Sequence, residues 1–332
     1  MKLSSKALLA VLLGASAYPG VDARFELKHN KMFIKSTKPE TLPVKPEPST
    51  TPSGPAVSVE SSAATQSVTC DKPDDSPVLQ TLEELCGQLN KREATPDKVH
   101  YVGNIGREGN YGCNMRLVAK DIVDKYNYTA NMHNVGTNCQ NCVCGLKIGR
   151  HRDIQVGWPE SQILHFSLAK GETKHIAFEP DTQGICGCAA GDLPRWVIGT
   201  PNGQGKAGEG LLATTWFEFD FANKGNNGAS GIDVSSLVPT DHGFAVQGLQ
   251  ACKGNPCHSF PEKSKICSTL FYRKANDTSP NEGKYAFGRG THYKDGLGPD
   301  MPPGPVEVQV YVDYQHREAF DFNKQSCEDK AV

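Results

Sequence analysis

Thr215-Trp216-Phe217-Glu218-Phe219-Asp220-Phe221 carries the clearest periodicity in the chain. Successive side chains of a strand point to opposite faces, so a period of two sorts this stretch into two rows. Thr215, Phe217, Phe219 and Phe221 fall in one row; Trp216, Glu218 and Asp220 fall in the other. An aromatic row beside a polar one is the pattern of a half-buried strand. The reading predicts one long strand from Leu211 to Phe221.

Working outward, Val306, Val308, Val310 and Val312 alternate with Glu307, Gln309, Tyr311 and Asp313 in the same way. Phe244 to Leu249 predicts another short strand. Ile163 to Leu168 and Lys174 to Phe178 flank Ala169-Lys170-Gly171-Glu172, which predicts a hairpin. Strands separated by long loops rich in Gly, Asn and Pro predict a mainly β fold, an antiparallel β-sandwich over residues 151–327.

The segment before it reads differently. Ser76 then Pro77 is a helix start, and Val78, Leu82, Leu85 and Leu89 follow at helical spacing. Leu117, Val118, Ile122, Val123 and Tyr126 repeat that pattern. Gly103 to Asn110 is a turn, because the Lys-Ser/Thr of a phosphate loop does not follow its glycines. Residues 70–150 are therefore expected to form an N-terminal Cys-rich helical segment.

All the cysteines come late: Cys70, Cys86, Cys113, Cys139, Cys142, Cys144, Cys186, Cys188, Cys252, Cys257, Cys267 and Cys327. Cys139-x-x-Cys142-x-Cys144 followed by Cys186-x-Cys188 has the look of a zinc cluster. An even count behind a secretory leader favours disulfides instead, and spacing leaves their connectivity open. No metal and no cofactor are expected. A Cys70–Cys86 pair would close a loop of about 15 residues, stabilising by roughly 3 kcal/mol.

The leader is residues 1–17. Lys2 and Lys6 precede an apolar run, Ala7 to Leu13, and Ala15-Ser16-Ala17 is a small-residue cleavage site. That run is shorter than the ~20 apolar residues of a membrane span, no later run is longer, and the C-terminus is polar, so no membrane anchor is expected. Residues 18–69 read as a disordered Pro/Ser/Thr-rich spacer. Asn127-Tyr128-Thr129 and Asn276-Asp277-Thr278 are N-glycosylation acceptors. Lys91-Arg92-Glu93-Ala94 looks like a dibasic processing site, cut after Arg92. Within 332 residues, 35 Lys+Arg against 37 Asp+Glu leave a net charge of −2, which argues against nucleic acid as a partner. The product is expected to be secreted and extracellular, with association with the cell wall an open alternative.

Several blocks occur in a telling order: Phe166-Ser167-Leu168-Ala169-Lys170-Gly171, His175 to Phe178, Asp181-Thr182-Gln183-Gly184, Thr215 to Phe221, Gly231-Ile232-Asp233-Val234-Ser235, Val246-Gln247-Gly248, Cys267-Ser268-Thr269, and Gly304 to Tyr314. Together they resemble the fungal family of allergen Asp f four-like secreted proteins over roughly residues 160–315. The resemblance implies an extracellular, antigenic protein with no established reaction. It also implies that Cys252 and Cys267 are the family's usual pair, with Cys186, Cys188 and Cys257 as additions. More locally, Trp216-Phe217-Glu218-Phe219 and Ile232-Asp233-Val234-Ser235 resemble two blocks of thaumatin-like proteins. There the matching acids line a cleft associated with β-glucan binding, which implies that role for Glu218 and Asp233.

Glycoside hydrolysis needs two carboxyl groups across a sugar bond. Glu218 and Asp233 are the candidate catalytic pair. Trp216, Glu218, Asp220 and Asp233 are the candidate ligand-binding set, a stacking ring beside acids. No Gly-x-Ser-x-Gly elbow or His-Glu-x-x-His pattern is present. His133, His151, His165, His175, His242 and His258 are scattered; His165 and His175 would face each other across the hairpin, as surface or packed residues. The leading expectation is a secreted, disulfide-rich, non-enzymatic fungal protein acting at the cell wall or host interface as antigen or effector, with a host protein or cell-wall glycan as partner. The alternative is a β-glucan-binding or weakly hydrolytic carbohydrate-active protein.

Overall fold

The computed structural model describes residue 70 and residues 76–86, 103–197, 205, 209–254, 267–278, 283, 285–288 and 298–315. The leader with its Ala17 cleavage site, the spacer, Leu89, Lys91-Arg92, Cys257, His258 and Cys327 lie outside the described residues. The described strands begin with β1 (Val78–Leu79), β2 (Gly106–Arg107), β3 (Asn110–Tyr111), β4 (Met115–Val118), β5 (Tyr128–Asn134) and β6 (Gln140–Leu146). Next come β7 (Gln162–Leu168), β8 (Thr173–Phe178), β9 (Thr182–Ala190), β10 (Arg195–Trp196), β11 (Leu211–Leu212) and β12 (Trp216–Asn223). The series ends with β13 (Ala229–Ser235), β14 (Leu249–Lys253), β15 (Cys267–Leu270), β16 (Asp300–Met301) and β17 (Val306–Val312), with one short helix, α1 (Leu237–Asp241), between β13 and β14.

Two sheets hold most of these strands. One has seven, in the order β1-β4-β8-β5-β17-β14-β15; the other has six, in the order β16-β13-β12-β9-β6-β7. Their inward side chains meet in one apolar core. Phe217, Phe219, Phe221, Ile232 and Val234 come from the six-stranded sheet, and Met115, Leu117, Met132, Ile176, Phe178, Val308 and Val310 from the seven-stranded one. Phe178 joins the two, its ring 4.8 Å from Phe219 and 4.6 Å from Phe221. Each such side chain contributes roughly 1.5–3 kcal/mol by leaving water. The valine row of β17 faces this core, as its alternation predicted. The seven-stranded sheet is mixed rather than wholly antiparallel: β17 runs parallel to β5, and β1 parallel to β4.

The expected helical segment is strand and loop instead. Val78–Leu79 pairs with Leu117–Val118. Ser76 caps no helix; its hydroxyl accepts the backbone N–H of His165 at 2.9 Å. Leu82 is exposed, while Leu85 packs with Val118 and Ala177. After β4, Ile122, Val123 and Tyr126 gather around a single 3-10 turn, Val123–Lys125. The spacing of apolar residues at three and four also fits a chain that leaves a strand and folds back over it. Val and Ile favour the strand where a partner is present. Residues 115–146 thus supply β4, β5 and β6 to the same two sheets as the later chain.

Three strand expectations also change. The hairpin of residues 163–178 does not form: β7 pairs with β6, and β8 with β4 and β5. Its turn is present, with the Glu172 N–H on the Ala169 carbonyl and Gly171 at φ 75°, but it carries the chain between sheets. His165 and His175 therefore lie in different sheets. A period of two announces a strand but not its neighbour. The Leu211–Phe221 strand is broken at Ala213–Thr215, where Gln247 takes both Thr215 donors: the N–H through its side chain at 2.9 Å, the hydroxyl through its carbonyl at 2.7 Å. The strand expected from Phe244 begins only at Leu249.

Among the described residues the disulfides are Cys70–Cys139, Cys86–Cys113, Cys142–Cys188, Cys144–Cys186 and Cys252–Cys267. Cys70 does not pair with Cys86. Cys142 and Cys144 on β6 sit opposite Cys188 and Cys186 on β9, forming two rungs that face the core. The zinc alternative falls, because the sulfurs that suggested it are bonded to each other or to Cys70. Among the described residues no cysteine is unpaired and no cluster of metal-ligating side chains occurs.

Candidate functional site

The register of β12 and β13 sets Glu218 directly opposite Asp233, Trp216 opposite Ser235 and Asp220 opposite Gly231. On the other side, β9 places Ile185 opposite Glu218 and Gln183 opposite Asp220. Strand alternation puts Trp216, Glu218 and Asp220 on the face away from the phenylalanine core. The two acids singled out by the sequence are therefore neighbours.

That face is not open to solvent. Trp216, Glu218 and Asp220 are each 2% exposed and Asp233 is 0% exposed. A second apolar cluster, including Ile105, Ile148, Ile154, Leu211, Leu212 and Val238, packs on Trp216. The Trp216 indole N–H donates to the Leu212 carbonyl at 3.1 Å, so the ring is packed inward rather than offered for stacking. The backbone at Gly298 lies on Asp233, where any Cβ would run into the Ile232 carbonyl and the Asp233 Cβ. The alternation of β12 was legible, but the loops that roof its polar row come from distant parts of the chain.

Burial sets the electrostatics. The Glu218 carboxyl is pushed up to about 7 by burial, against a hydrogen bond with Ser235. Burial, and then the charge of Glu218, raises Asp233 well above the carboxylate range. Asp220 is pushed up to about 7 by burial, opposed by Asn223 and Lys147. The Asn223 amide donates to Asp220 Oδ2 at 2.7 Å. Glu218 Oε1, Asp220 Oδ1 and both Asp233 oxygens have no hydrogen-bond partner. Lys147, just beyond β6, is also buried and donates to Gln183 Oε1 at 3.3 Å. Burial brings its ammonium down to about 8, against the pull of Asp220. Sequence reasoning missed Lys147; its only signal was a position between apolar Leu146 and Ile148.

Chemically this group retains protons. Two adjacent carboxyls this deeply buried do not both ionise near neutrality, so the pair holds at least one proton there. Buried on both strands, the pair presents no open face to a sugar.

The histidines lie elsewhere. His133 shares hydrogen bonds with Gln309 at 2.6 Å and Thr173 at 2.8 Å, and its ring stacks on Tyr311 at 5.1 Å. His175 bonds Asn131 at 2.7 Å and is held below its usual value by burial, then by His133 and Lys120. His242 stacks on Trp196 at 3.9 Å. Asn127 and Asn276, the glycosylation candidates, are both exposed.

Comparison with known proteins adds the following. The Allergen Asp f 4-like domain family matches over residues 113–312, beginning well before the region of resemblance read from the sequence. Allergen Asp f 4 of Aspergillus fumigatus is 29% identical over 235 residues, covering 70% of this chain and 64% of that protein. The match thus spans just under two thirds of that relative's length. Among solved structures, the protein elicitor MoHrip2 from Magnaporthe oryzae is 11% identical over 56% of this chain and 99% of its own, with a TM-score of 0.29. The thaumatin-like xylanase inhibitor TLXI is 10% identical over 55% of this chain and 97% of its own, with a TM-score of 0.30. Likenesses at these scores bear on neither fold nor ligand. The sequence match, by contrast, takes in more than half of the chain, and the protein belongs to the Allergen Asp f 4-like family.

Proposed function

We propose that the protein is a secreted, non-enzymatic binding protein that acts outside the cell, at the cell wall or the host surface, as an antigen or effector. The observation that carries this reading is the burial of Glu218 and Asp233. The carboxyls that a glycosidase would hold on either side of its substrate here lie on neighbouring strands, buried under a roof of loops. Family membership and the five disulfides among the described residues support an oxidising, extracellular setting. No described helix is long and apolar enough to cross a membrane. The partner is a host protein or a cell-wall glycan. The secreted protein is expected to be retained on washed cell walls or immobilised host extracellular proteins, and to release no reducing sugar from β-glucan. Turnover abolished by Glu218→Gln would overturn the reading.

A second reading, β-glucan binding or weak hydrolysis, is favoured by the direct pairing of Glu218 with Asp233. Retention on insoluble β-glucan that is lost in a folded Glu218→Gln variant supports it. Retention unchanged in that variant assigns glucan contact to another face.

A further inference from the structure

The β2–β3 hairpin and the turn at Arg150 enclose a pocket of about 310 Å³ walled by Ile105, Arg107, Glu108, Tyr111 and Arg150, with glycine backbone between them. The wall is fixed in place. Gly106 and Gly109, at φ 92° and 77°, permit the tight hairpin, and a Cβ at Gly106 would crowd the Asn110 carbonyl. The Tyr111 hydroxyl donates to the Ile148 carbonyl at 2.8 Å. The Arg150 guanidinium lies over the Tyr111 ring, 4.9 Å from its centroid. Stacking occupies the flat face of a guanidinium and leaves its in-plane N–H groups for an acceptor.

Arg107 has an unmet donor: its Nη1 is buried without a hydrogen-bond partner. A buried donor on a cation with no acceptor is destabilising, and Nη1 meets a ligand only when the side chain turns it toward the pocket. Among the described residues no carboxylate is ion-paired with Arg107 or Arg150. Two guanidinium groups on one small pocket call for an anion, and a planar carboxylate matches their fork geometry.

The surroundings narrow the choice. Glu108 is part of the wall, and the charges of Asp153 and Glu160 are felt at Tyr111. A polyanion would be repelled by these acids, and a neutral sugar would leave the guanidinium groups unmet. The volume is at the small end of ligand pockets, suited to one ring. We propose that this pocket binds a carboxylate-bearing sugar, a uronic acid unit of an extracellular glycan, with Arg107 and Arg150 on the carboxylate. The proposal rests on the reading of the protein as an extracellular binder.

The test is calorimetric titration of the full secreted chain with methyl glucuronide, methyl glucoside and sulfate. Saturable glucuronide binding is expected, at least tenfold tighter than either the glucoside or sulfate, and weakened by added salt. Arg107→Gln and, independently, Arg150→Gln should each weaken it by about tenfold or more, in variants that circular dichroism shows to be folded. Arg150 is exposed, so its variant keeps the test available if Arg107→Gln misfolds. No saturable binding, equal affinity for the glucoside or sulfate, or undiminished binding in a folded arginine variant overturns the proposal. Glucuronide binding without retention on walls or host proteins would keep the pocket and reject the wider role. Wall retention with no glucuronide binding would do the reverse.

Discussion

Glu218 and Asp233 show what a residue-level reading captures and what escapes it. Their types and order marked them as a pair, and the β12–β13 register makes them one. Their exposure was not legible, because alternation says which face a side chain takes and not what covers that face. Lys147 escaped for the same reason. Gly298 is the most specific part of the cover. Its missing side chain lets backbone rest against Ile232 and Asp233. Gly298→Ala is expected to destabilise the protein by about 1–3 kcal/mol, because the roof must shift to admit the methyl group. Urea unfolding measures this, and a variant as stable as wild type would show that the contact is loose.

At the scale of elements, the disulfide ladder follows from simple geometry. Cys142-x-Cys144 and Cys186-x-Cys188 share the strand period, so on neighbouring antiparallel strands they meet as two rungs. That pairing was available in the sequence once β6 and β9 were known to be adjacent. The helix expected at Val78 failed because a short apolar spacing is ambiguous and the strand partner, β4, lies 39 residues away in register. Replacing Cys186 and Cys188 together by alanine removes both rungs. The expected loss is about 3–5 kcal/mol, read from the denaturation midpoint after confirming that the other disulfides are intact. A loss below about 1 kcal/mol would mean that the ladder hydrogen bonds alone hold β6 to β9.

For the whole molecule, the mainly β class was legible from the period of β12 and β17, while the mixed topology was not. Parallel pairing of β5 with β17 joins residues almost the full domain apart, and no local pattern signals it. The covalent frame has a consequence for processing. Cys70–Cys139 and Cys86–Cys113 both straddle position 92. A chain cut after Arg92 is therefore expected to keep its N-terminal piece until reduction. Gels run with and without reductant, with N-terminal sequencing, check this; loss of the piece without reduction would contradict the pairing. The central claim is that Glu218, Asp220 and Asp233 are buried proton-holding groups and not an open acidic cleft. Glu218 rises from 4.5 to about 7 and Asp220 from 3.8 to about 7, with Asp233 also raised. Acids raised on folding bind more protons in the folded state. Their contribution is therefore complete below the unfolded values, near 4, and lost as pH rises through about 7. His175, lowered on folding, acts in the opposite sense, and Lys147 changes only from about 8 upward. The decisive measurement is unfolding free energy from pH 4.5 to 7.5 for wild type and for Glu218→Gln/Asp233→Asn. Relative to the double variant, wild type should lose on the order of 3 kcal/mol across that range. A difference that stays flat, or a wild type that gains stability over the variant as pH rises, would place the acids in water and contradict the account.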